Sequence, residues 1–319
     1  MKVLFFAALA YVAVVALLAR RHLRELHPRR FFVETWMQVD REATEARARR
    51  QMRGEGYDWR PVVAYVLVAV ILTFQEYFGD RATWTRLVTQ GLVIDWGGGP
   101  NHPATHHLKL LGPQAWMNPR AYAELGPLAY WAFTRAFGYF AIPAAVLLLW
   151  RERVRDYGLR AKGFLSHAWI YALFFGIVLV AVVIVAGTSE FANYYPFYKD
   201  ASRSWKDFFL WECLYALQFF TLEFFFRGFM VFSGREAMGS GVIVAMVVPY
   251  CMIHFGKPWA EALAAILAGV VLGTLALKTR SIWSGFLIHV TVAVSMDLAA
   301  MLQTRGLPGG IKLPASWGW

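Results

Sequence analysis

Glu223 and Arg227 stand four residues apart in TLEFFFRGFMVF (221–232), a run that is otherwise apolar and aromatic. On a helix the two share a face, with the acid N-terminal to the base in the favourable order. A carboxylate held between apolar surroundings and a guanidinium can take a proton from water, the work of a general base. The plainer reading is a buried ion pair that locks helices together. His254 follows Tyr250 by one turn in PYCMIHF. A neutral imidazole there suits water activation beside a carboxylate, or donation to a developing oxyanion. As a histidine near a helix end it also fits an interfacial position. His289 lies in WSGFLIHVTVAVSMDLA, with Asp297 eight residues on. That spacing turns Asp297 about 80° around the helix, so it faces the same cavity without touching the imidazole. Singly these groups decide nothing; together, on three of the last four apolar helices, they point to a hydrolytic site.

Other candidates read more plainly. Glu212, on the same helix as Glu223, is expected to be interfacial, as are Gln75 and Glu76. Cys213 and Cys251 read as small buried residues, not a disulfide or a nucleophile. His102, His106 and His107 cluster in a Gly/Pro-rich stretch with no partner at ligand spacing, so no metal or other cofactor is expected. Thr291 and Ser295 are expected to bond their own backbone. Gly269 and Gly273 are spaced for close helix approach.

The elements that must carry these groups are membrane helices. Of 319 residues, 58% are hydrophobic and 17% charged, a composition of repeated apolar runs near twenty residues long. The net charge of +11 does not point to nucleic acid, because the arginines cluster between apolar runs as the positive-inside bias requires. The expected spans are 3–19, 61–79, 128–150, 164–187, 208–232, 241–255, 260–277 and 282–302. Pro143 should kink the third. Simple counting sets Glu223 near the cytoplasmic end of the fifth span and His254 near the outer end of the sixth. The arrangement predicts an all-α, polytopic transmembrane bundle of about eight spans with no sheet and both termini outside.

Four regions follow. Residues 1–60 form an N-terminal anchor and an Arg-rich cytoplasmic segment. REATEARARRQMR within it reads as a surface helix touching anionic headgroups, or as a solvated linker. Residues 61–202 form helices with a long extracytoplasmic loop at 80–127, residues 203–303 the chemical core, and residues 304–319 a short tail.

At these residues the chain resembles the CAAX protease and bacteriocin-processing (Abi) family of intramembrane endopeptidases. That family carries E-E-x-x-x-R, F-x-x-x-H and a later H followed four residues on by Asn or Asp. LEFFFRG, Tyr250 to His254 and His289 are similar to these in order and spacing, over about residues 203–300. Leu222 stands at the family's first glutamate and Ala293 at the Asn position. The resemblance implies a metal-independent glutamic endopeptidase. Glu223 and His254 would activate water, His289 would serve the oxyanion with Asp297 as a substitute partner, and Arg227 would orient.

The expected partners are membrane lipid and a peptide or protein with a membrane-associated segment. The expected location is the membrane, of bacterial cytoplasmic (inner) type from the charge pattern. Bacteriocin or leader peptides and C-terminal anchor segments are the expected substrates, ahead of prenylated-type C termini, which fit the bacterial charge pattern least. A non-catalytic scaffold of the same fold is the alternative, favoured by Leu222 and Ala293. A transporter is the weaker third, since no repeat halves are visible.

Overall fold

The computed structural model describes residues 2–97, 103, 105–117, 122–162, 164, 167–257, 259–310 and 312. It is mostly helical. In chain order the elements are α1 (Lys2–Leu18), α2 (Thr35–Met52), α3 (Arg60–Phe78), α4 (Arg81–Thr89), β1 (Leu92–Trp96) and β2 (His106–Leu111). There follow α5 (Leu125–Leu149), α6 (Ala168–Ala186), α7 (Ser189–Tyr194), α8 (Trp205–Met238), α9 (Gly241–Met252), α10 (Trp259–Thr279) and α11 (Trp283–Gln303). Among the described residues, six helices are long and apolar enough to cross a membrane: α3, α5, α6, α8, α10 and α11. Leu4–Leu18 and α9 are apolar but shorter.

The expectation of no sheet fails in one place. The stretch read as a loop holds α4 and an antiparallel pair, β1 with β2. Asp80 starts α4 as an N-cap, its carboxylate accepting the Thr83 N–H at 2.8 Å. Leu92, Val93 and Ile94 favour extended backbone. His106 and His107 lie on exposed β2, and His102 lies outside the described residues.

α8 is the hub. Its aromatic run packs Phe224, Phe225, Phe226 and Phe229 into a core with Tyr139 of α5 and Tyr250 of α9. A second core gathers Trp211 and Tyr215 of α8 with Phe208, Leu128 and Met301. The backbone widens to π-type turns at Phe137–Ala141 and Phe224–Met230. The first ends just before Pro143, whose missing N–H and ring crowding forbid ordinary helix spacing there. Gly269 and Gly273 let α10 approach α9: a Cβ would lie 2.9 Å from Val247 Cγ2 and 2.9 Å from Met246 Cε respectively.

α2 is neither a free linker nor only a lipid-facing helix. Trp36 Nε1 donates to Thr274 Oγ1 at 3.0 Å, and Glu42 pairs with Arg280. Asp40 accepts from Ser240 N at 2.6 Å and Ser240 Oγ at 3.0 Å, clasping the turn between α8 and α9. Gln75, expected at an interface, is buried and donates to the Thr134 carbonyl at 2.7 Å.

Candidate active site

α8 continues for 34 residues, past the end expected near Phe232. Glu223 therefore sits near its middle, not near one end. Measured from the turn at 239–240, Glu223 lies about 24 Å back along α8 and His254 about 21 Å on beyond α9, at 1.5 Å per residue. The mismatch in depth expected from counting disappears.

Glu223 and Arg227 are 0% and 1% exposed. Glu223 Oε1 lies 3.0 Å from Arg227 Nη1 and 2.9 Å from His289 Nδ1. Its Oε2 faces α11 at Gly285, where a Cβ would lie only 2.2 Å away. A side chain at 285 would fill the space the carboxylate occupies. His289 Nε2 is 3.1 Å from the Tyr250 hydroxyl, and its ring stacks on Phe219 with centroids 5.3 Å apart. The Arg227 guanidinium lies 3.8 Å over the Tyr250 ring, a cation–π contact inside the core. Arg227, Glu223, His289 and Tyr250 thus form one buried network on three helices.

His254 stands on the other side of Tyr250. α9 ends by tightening: the His254 N–H donates to the Cys251 carbonyl at 2.9 Å, and Gly256 at φ +86 completes the turn. The Tyr250 carbonyl, left without its helical donor, takes the His254 ring Nδ1–H at 2.8 Å. A carbonyl only accepts, so this bond fixes the tautomer and leaves Nε2 as the basic nitrogen. His254 lines a cavity of about 260 Å³ together with Arg135, Gln218, Phe219, Leu222 and Lys257. Leu222, at the position of the family's first glutamate, is thus on the cavity wall with His254.

The pairing expected between Glu223 and His254 is therefore not the one observed; the partner of Glu223 is His289. The different faces of successive helical residues explain it, since Leu222 and Glu223 cannot both face the cavity. Asp297 does not face the cavity either. It is 0% exposed and accepts from Trp211 Nε1 at 2.8 Å and Phe197 N at 3.2 Å, a structural anchor. Glu212 is buried. Thr291 and Ser295 donate to the Leu287 and Thr291 carbonyls as expected. Among the described residues, no three of His, Cys, Asp and Glu converge as metal ligands.

Three contributors escaped the sequence reading. Arg135 and Gln218 carried a signal, being polar residues in apolar spans. Gly285 carried none.

The long apolar helices and the buried polar network define a polytopic integral membrane protein. Residues 204–295 match the family model described as Type II CAAX prenyl endopeptidase Rce1-like. No curated protein and no solved structure matches the chain significantly.

Proposed function

We propose that the protein is an intramembrane endopeptidase in which His254 is the proton acceptor and Glu223 acts through His289. The observation that carries this is the His254 Nδ1 contact with the Tyr250 carbonyl, which directs a basic Nε2 to a cavity already lined by polar groups. Water gives a proton to Nε2, and its oxygen adds to the scissile carbonyl carbon. The Tyr250 hydroxyl, turning its O–H away from His289 Nε2, donates to the resulting oxyanion, while Glu223 fixes the imidazole from Nδ1. The C–N bond then breaks as His254 returns the proton to the leaving amine. Glu223 and Arg227 are positioning residues in this scheme. The substrate is a peptide or protein segment at the membrane, and the two shorter apolar helices complete a bundle of eight spans.

Purified protein in lipid nanodiscs, incubated with an apolar peptide library and read by mass spectrometry, tests the reading. His254→Ala should lose about a hundredfold or more of the cleavage rate, the scale of a lost general base. Unchanged cleavage by the folded variant contradicts it.

A second reading is favoured by one observation: Leu222, not a glutamate, shares the cavity wall with His254. On that reading the core keeps the fold and holds a membrane partner without hydrolysing it. Wild-type protein would then cleave nothing in the same assay.

A further inference from the structure

The cavity that holds His254 is positively charged on a wall outside the family-matched segment. Arg135 of α5 lies in that wall with its guanidinium 4.6 Å over the Trp131 ring, and Nη1 donates to the Gly79 carbonyl at 3.0 Å. Arg81 sits in the same way 4.6 Å over Phe197, whose ring is 5.8 Å from that of Trp131. Among the described residues neither guanidinium has a carboxylate within ion-pair distance, whereas Lys257, the cavity's other cation, is paired with Glu261 at 2.6 Å. Glu76 and Asp80 act on Arg135 only from beyond ion-pair distance; an Arg in an apolar span gains from a direct counter-charge, and its fork of donors matches a carboxylate. Beside it Gln218, 4% exposed, presents a buried Oε1 that accepts no hydrogen bond among the described residues. An amide N–H is the natural donor to it.

We infer that Arg135 is a specificity-determining residue: it pairs with a carboxylate on the peptide substrate, while Gln218 accepts a substrate backbone N–H in the same cavity. This rests on the peptidase reading for the word substrate, but binding tests it without any cleavage. The aromatic wall of Trp131, Phe197 and Tyr215 accommodates an apolar side chain next to the charge. The ligand is thus an apolar peptide with one negative group, and a strongly basic peptide does not fit beside Arg135 and Lys257.

The test uses full-length protein in zwitterionic nanodiscs and three acetylated tetrapeptides of leucine and phenylalanine. One has a free C-terminal carboxylate, one a C-terminal amide, and one the amide with a single aspartate. Affinity is read by thermophoresis for wild type, Arg135→Gln and Arg135→Lys, each checked for an unchanged melting temperature. At least one carboxylate peptide should bind tenfold or more tightly than the neutral amide, and which one identifies a terminal or a side-chain carboxylate. Arg135→Gln should abolish that preference and Arg135→Lys should keep part of it. Equal binding of all three peptides, or a preference that survives in Arg135→Gln, overturns the inference. Binding with the expected preference but no cleavage leaves it standing and removes the hydrolytic reading.

Discussion

At the scale of single residues, the side of α8 that each group faces decides what it meets. Glu223 and Leu222 are neighbours in sequence, yet one meets His289 at 2.9 Å and the other lines the cavity with His254. Leu222→Glu would place a carboxylate on the cavity wall it shares with His254, the proposed proton acceptor. It should raise the cleavage rate about tenfold or more, as a positioned acid–base partner does. An unchanged rate in a folded, membrane-inserted variant would show that Leu222 does not face the reacting groups. The sequence named Glu223, Arg227, His254 and His289, because ionisable groups in apolar helices are few and conspicuous. It could not say how they pair. Side-chain direction around a helix depends on local geometry, and here the backbone widens immediately after Glu223, between Phe224 and Met230.

At the scale of elements, the site depends on α11 approaching α8 at a residue with no side chain. Gly285→Ala sets a Cβ 2.2 Å from Glu223 Oε2 and must push the carboxylate off His289 or the helices apart. Such overpacking costs about 1–3 kcal/mol. The variant should melt at lower temperature and lose cleavage with little change in peptide affinity. A variant with wild-type melting and wild-type rate would show that the Glu223–His289 contact is dispensable. Helix positions were legible because runs of apolar residues are long, and Pro143 correctly marked a disturbance in α5. The hairpin was not, since β1 and β2 are short and β2 is exposed, with no buried face to enforce alternation. α8 was cut short in the sequence reading because Ser233, Gly234, Arg235 and Glu236 read as a loop. In the fold those residues continue the helix to Met238, where Gly239 at φ +59 ends it.

At the scale of the whole molecule, the Arg-rich N-terminal segment is packed onto the helical core through α2. Its charge suggested headgroups, while its contacts fasten it to the α8–α9 turn. Asp40→Ala removes two acceptors from Ser240 and should loosen the hairpin that carries both Glu223 and Tyr250. Faster hydrogen exchange at residues 236–242 is the expected result; protection equal to wild type would show that α2 only rests on the core. The central claim is that this assembled bundle hydrolyses peptide bonds with His254 as proton acceptor. Profiling of new protein N termini in membranes of cells expressing wild type or His254→Ala tests it most directly. Wild type should make a set of membrane-proximal N termini that is missing from an equally abundant His254→Ala. Identical sets from the two would contradict it and leave the core as a binding scaffold.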